Sequence, residues 1–336
     1  MKKRSLKIIT GSLVILSILC TLAKVVQAEP YNPNTDWFMK AGYGVFVCYL
    51  EIYQNDPARL NSFGKKTSWD QCVREFDTEK FADQMEQAGA GYVIFTMQQN
   101  ARFLIAPNAT FDRLTGYKPG EACATRDLVE DLYKSLHPRG IKLILYWTGD
   151  GPRKDPKAAA ALKYTRKVNE TFVTNWSNVA REYGERYKEK VVGWWVDGCY
   201  TFIGYDQKKL EILAKGLKAG NPKRIIALNL GVKKKVSAYS EYEDYTCGEK
   251  ERFDDYPSSR WINGEQWHIL SYLSCEHKGW GSPGTRYKKQ ELIDYVNKCN
   301  SKGGVVSIDV MLYRDGLLDR SQLEMLKALR AAKENR

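Results

Sequence analysis

Residues 191–197 read Val191-Val192-Gly193-Trp194-Trp195-Val196-Asp197. Six apolar or small residues in a row, rich in β-branched and aromatic types, are too few for a buried helix and suit a strand covered on both faces. The run ends on a carboxylate. A carboxylate there is expensive to desolvate unless it is paired or opens into a cleft, which makes Asp197 the first candidate catalytic residue. Its structural alternative is an N-cap for the next helix.

Working outward, seven more apolar runs follow the same pattern: residues 42–50, 91–97, 141–148, 224–230, 243–247, 267–273 and 305–310. Helical stretches separate most of them. Asp77-Thr78-Glu79 opens one, with Phe81, Met85 and Ala88 on a stripe and Gly89 at its end. Thr125 is expected to cap another, carrying Leu128, Leu132 and Leu136. A long helix is expected from about 157 to 188, and others over 208–219, 288–300 and 319–332. Doubly buried strands alternating with helices imply a parallel sheet, and eight units in this length suit a single-domain α/β protein, a closed (β/α)8 barrel. An open doubly wound sheet is the alternative, but the first strand is followed by no glycine-rich phosphate turn.

The composition, 43% hydrophobic and 27% charged over 336 residues, excludes disordered, collagen-like and coiled-coil chains. The one long apolar stretch is N-terminal. Lys2, Lys3, Arg4 and Lys7 precede an apolar segment over 8–22, and Val26-Gln27-Ala28 supplies small residues for cleavage, so residues 1–28 read as a signal peptide. The expected mature protein, residues 29–336, is then secreted or periplasmic, with no integral membrane association. Losing five basic leader residues lowers the formal charge from +12 to +7. That excess is dispersed and makes no nucleic-acid footprint; the compact run Lys233-Lys234-Lys235 reads as a solvated turn.

Seven cysteines remain after cleavage, an odd number, and none has CxxC or Cys/His spacing. Histidines 137, 268 and 277 are scattered, so neither a metal nor a cofactor is implied.

In a barrel, chemistry gathers where the strands end. Those ends carry Gln98, Gln99, Tyr146, Asp197, Asn229 and Glu249; Glu265 precedes strand seven and Asp309 lies on strand eight. Aromatics beside carboxylates and amides suit a sugar pocket. Glycoside hydrolysis needs a second carboxyl group, and both Glu249 and Glu265 are candidates, Glu249 by its place just past a strand.

Several segments together resemble the α-L-fucosidase family, glycoside hydrolase family 29. They are Phe38 with residues 42–47, Phe76-Asp77-Thr78-Glu79-Lys80-Phe81-Ala82 with residues 87–96, Arg126-Asp127-Leu128-Val129 with residues 140–146, Trp194-Trp195-Val196-Asp197-Gly198, Lys302-Gly303-Gly304 and Asp315-Gly316. The resemblance implies retaining hydrolysis of a terminal α-L-fucosyl or related residue of a glycan. Asp197 is then the nucleophile, and Tyr146, Trp195 and Asn229 line the pocket. The C-terminal β-sandwich that many members carry is expected to be absent. Cys48-Tyr49 stands where the family has a histidine, and Gln98-Gln99-Asn100-Ala101-Arg102-Phe103 replaces its His-His-Asp-Gly-Phe segment. Those amides can bind sugar hydroxyls but carry no charge. The alternative expectation is therefore a catalytically silent carbohydrate-binding barrel.

Overall fold

The computed structural model describes residues 31–276 and 279–335; the expected leader and His277 lie outside them. Seven parallel strands form one curled sheet: β1 (Tyr43–Val47), β2 (Tyr92–Thr96), β3 (Lys142–Thr148), β4 (Val191–Asp197), β5 (Ile225–Leu228), β8 (His268–Tyr272) and β9 (Val305–Val310). Their order is β5-β4-β3-β2-β1-β9-β8. Two short strands, β6 (Trp261–Ile262) and β7 (Glu265–Gln266), make a separate hairpin before β8.

The expected sixth strand at 243–247 is not a regular strand, and the reason is chemical. The Ile226 and Leu228 amides of β5 donate to carboxylates, Asp244 Oδ2 at 2.9 Å and Glu243 Oε2 at 3.1 Å, rather than to a neighbouring backbone. The segment still fills the gap between the sheet edges. Asp244 N reaches Ile226 O on one side, while Gly248 O and Lys250 N meet the Leu270 backbone on the other. The eight-unit barrel is thereby closed, with its sixth stave joined to β5 partly through side chains.

Strand parity sorts the apolar residues into two cores. Val45, Val47, Trp194 and Val196 face the helices; Phe46, Ile94, Ile144, Tyr146, Trp195, Ala227, Cys247 and Leu270 fill the barrel interior. Because successive strand side chains alternate, Asp197 shares the inward parity of Trp195. Glu249 follows Tyr245 and Cys247 in the same way.

The helices follow their caps. Asp77 accepts from Lys80 N at 3.0 Å, opening Thr78–Gln87. Helix Leu128–Leu136 is capped by Asp127, not by Thr125, whose amide and hydroxyl both donate to Asp70. The single helix expected over 157–188 is two, Pro156–Ala161 and Glu170–Tyr187. Lys163 takes a left-handed φ of 66°, and Asn169 restarts the helix by accepting from Phe172 N. At the foot of β5 the buried Arg224 donates to five carbonyls, those of Gly184, Lys188, Val191, Leu217 and Ala219. One guanidinium thus satisfies carbonyls at the C-terminal ends of two helices.

All seven cysteines among the described residues have free thiols. No helix among the described residues is long and apolar enough to cross a membrane.

Candidate active site

Asp197 ends β4 at the same level as Thr148, which ends β3. Its carboxylate accepts four hydrogen bonds, unequally shared. Oδ1 takes three, from Gly198 N (2.7 Å), Tyr200 Oη (2.7 Å) and Asn229 Nδ2 (2.9 Å). Oδ2 takes one, from Tyr146 Oη at 2.8 Å. The Tyr146 hydroxyl in turn accepts from Gln99 Nε2 at 2.9 Å. The helix-cap alternative is excluded, because the 3-10 turn Thr201–Ile203 has no side-chain cap and the next α-helix, Gln207–Leu217, is capped by Asp206.

Asn229, one residue beyond β5, is the link to the second carboxyl group. Its Nδ2 donates to Asp197 and also to Glu249 Oε2, at 2.7 Å. Its own Oδ1 is held by Gly231 N at 2.8 Å. The two contacts on one nitrogen keep the two oxygens it touches, Asp197 Oδ1 and Glu249 Oε2, no more than about 5.6 Å apart. Burial, and then the charge of Asp197, push Glu249 up to about 7, against the Asn229 hydrogen bond, which pulls it down. Burial and Asp197 likewise raise Tyr146 and Tyr200, so both phenols stay protonated as donors.

These groups open on a cavity lined by Phe46, Cys48, Tyr53, Gln99, Trp195 and Trp280, with Asp197 and Glu249 both on its wall. Tyr146 and Trp195 stack at 5.4 Å and 16°, and Phe46 meets both edge-on. Trp195 Nε1 donates to Cys247 O at 3.1 Å, which fixes the indole plane. The cavity therefore offers aromatic faces together with carboxyl groups, the mixture that sugar rings require.

Six of the eight predicted residues converge here: Asp197, Glu249, Tyr146, Trp195, Asn229 and Gln99. Two do not. Gln98 is buried against Thr148, to whose hydroxyl it donates, and does not line the cavity. Glu265 lies in β7, ahead of β8 and so at the opposite end of the barrel, where it lines a different pocket with Glu243 and Asp244. There its carboxyl group meets that of Glu243; burial pushes Glu265 up to about 7, and burial plus the Glu265 charge raise Glu243. His268 is a core residue between Thr246 O and Ser307 Oγ, lowered to about 4 by burial.

Sequence reasoning missed Tyr200, Tyr53 and Trp280. Phe46 and Cys48 are legible by parity along β1 and the residue just past it. Trp280 comes from the loop after β8 and carries no local signal. Its place is set by Asp309, whose Oδ2 accepts from Gly281 N at 2.8 Å while burial drives its carboxyl group well above the usual range.

The model of the α-L-fucosidase family matches residues 24–331. Among curated proteins none matches the sequence significantly. Solved structures share the fold. The endo-fucoidan hydrolase MfFcnA4 of glycoside hydrolase family 107 superposes with a TM-score of 0.68 at 13% identity, over 88% of this chain and 53% of that one. The endo-fucoidan hydrolase P5AFcnA of the same family gives 0.67 at 16%, over 89% and 92%. The α-L-fucosidase AlfC in complex with Fucα(1,6)GlcNAc gives 0.62 at 15%, over 90% and 99%. The chain thus spans about half the length of the first of these and nearly all of the third. With the family match extending over most of its length, the chain belongs to the α-L-fucosidase family of glycoside hydrolases.

Proposed function

We propose that the protein is a retaining glycosidase that removes a terminal α-L-fucosyl or closely related residue from a glycan. One observation carries this reading: Asn229 donates to Asp197 and Glu249 from a single nitrogen. The short carboxyl separation that follows suits a double displacement, whereas an inverting pair leaves room for a water, roughly 6.5–9.5 Å.

In the first step Asp197 Oδ2 attacks the anomeric carbon. It is the oxygen with a single partner; Oδ1 is immobilised by three donors. Glu249, held protonated near neutrality by burial and by Asp197, gives its proton to the departing glycosidic oxygen. The bond to the leaving group breaks as the glycosyl–aspartate ester forms. Glu249, now ionised, then takes a proton from water, whose oxygen attacks the same carbon and frees Asp197. Tyr146 donates to Oδ2 throughout and can follow charge as it leaves that oxygen. The same proposal has the leader over residues 1–28 removed and the mature enzyme working outside the cytoplasm.

Hydrolysis of an aryl α-L-fucoside by purified protein tests the reading. Asp197→Asn should lower turnover by at least about 10³-fold with folding intact, since it removes a covalent nucleophile. Comparable activity in the variant would refute the assignment. Sugar binding without product release in the wild type would favour the silent-barrel alternative.

A further inference from the structure

Glu249 marks the side of the cavity from which a leaving group departs, since the acid must touch the glycosidic oxygen. The surface next to it is assembled from the loops after β4 and β5. Lys250, the buried neighbour of Glu249, donates to Lys234 O at 2.8 Å and Lys233 O at 3.4 Å and pairs with Asp254 at 2.9 Å. This lysine pins the loop 231–235 beside the acid. At the loop's start Gly231 donates to Asn229 and lies against the Tyr200 ring, within 3.5 Å of the position a Cβ would take. Tyr200 stacks on Phe202 at 5.1 Å and 17°, and Phe202 is 74% exposed.

The charges around this rim are unequally used. Asp254 is taken by Lys250, Asp255 by Lys235, and the Glu251 carboxylate accepts from Tyr272. Lys233 and Lys234 are exposed and form no ion pair among the described residues. Through Gly231 and Tyr200 the loop that carries these two lysines adjoins the loop that carries Phe202. An exposed aromatic ring and ammonium groups free of ion pairs on adjoining loops suit a sugar bearing negative charge. We infer that the leaving-group side of the cavity is an anion-selecting subsite, in which Phe202 stacks on the leaving sugar and Lys233 and Lys234 meet a sulfate ester or carboxylate that it carries. This rests on the retaining-glycosidase reading only for its naming of the leaving-group side.

The test uses matched α-L-fucosyl disaccharides whose reducing-side sugar is neutral, sulfated or a uronate. In the wild type kcat/KM should be roughly tenfold higher for at least one anionic member, and the arm that responds names the anion. The ratio should approach one in the double variant Lys233→Ala/Lys234→Ala and in about 0.5 M salt, where exposed charges are screened. A ratio of one in the wild type, or a preference that survives the double variant, overturns the inference. Calorimetry with a sulfated and a uronate-containing oligosaccharide decides the matter without turnover. Binding of either that the double variant weakens roughly tenfold sustains the subsite even if no fucoside is cleaved. Equal binding by both proteins, or no binding of either by the wild type, removes it while leaving the catalytic reading to its own assay.

Discussion

The Tyr146 hydroxyl donates to Oδ2 of Asp197 at 2.8 Å, and its ring lies flat against Trp195 at 5.4 Å. The contact is built by strand register. Tyr146 pairs with Trp195 across β3 and β4, two residues short of Asp197, so all three side chains point into the barrel. The stack fixes the phenol, and the phenol fixes the carboxylate oxygen proposed to attack.

Tyr146→Phe keeps the ring and deletes the donor. A hydrogen bond to a charged group is worth about 1.5–3 kcal/mol, so kcat on an aryl fucoside should fall roughly 10- to 100-fold with the melting temperature nearly unchanged. Steady-state kinetics with a parallel thermal melt reads both; unaltered kcat would free Oδ2 from dependence on this phenol.

The pH profile reports Glu249. In the proposed mechanism the neutral form of Glu249 protonates the leaving group. Because burial and Asp197 hold that carboxyl group near 7, kcat/KM should decline as pH rises through about 7. Asn229→Ala removes the hydrogen bond that favours the ionised form, so the alkaline limb should move upward while the rate falls. A limb that stays in place or moves down would separate Glu249 from the acid role.

Glu265 offers a contrasting prediction for stability. Its carboxyl group is raised in the fold to about 7 from an ordinary 4.5, chiefly by burial beside Glu243. The folded protein therefore holds more protons than the unfolded chain between those values, and stability falls as pH rises through that window. Glu265→Gln removes the titration. It should raise Tm at pH 8 relative to wild type by roughly 2–4 °C, with the difference shrinking toward pH 5, and should leave fucoside turnover intact. Loss of turnover in this variant would return Glu265 to the active site.

Much of this architecture is legible in the sequence because strand parity and burial act locally. Val191 to Asp197 announces a buried strand with a carboxylate at its end, and the inward sides of β1, β3 and β4 can be read by counting in twos. The sixth stave cannot be read so simply, because β5 gives its amides to the Glu243 and Asp244 side chains, an exchange invisible to periodicity. The choice between Glu249 and Glu265 was open for a related reason. Both flank apolar runs, yet one follows its run at the strand-end face and the other precedes β8 at the opposite face. Parity would have helped, since Tyr245, Cys247 and Glu249 alternate. The break between Ala161 and Glu170 rests on a left-handed Lys163, which no composition signal predicts. Trp280 reaches the cavity only through the long-range contact of its neighbour Gly281 with Asp309.

The claim that Asp197 and Glu249 act as a closely spaced retaining pair is tested most directly by the anomeric configuration of the sugar at the moment of release. Proton NMR during hydrolysis of an aryl α-L-fucoside should show the α-anomer first, with the β-anomer growing only through mutarotation. First appearance of the β-anomer would contradict the double displacement and the assignment of Asp197 as its nucleophile.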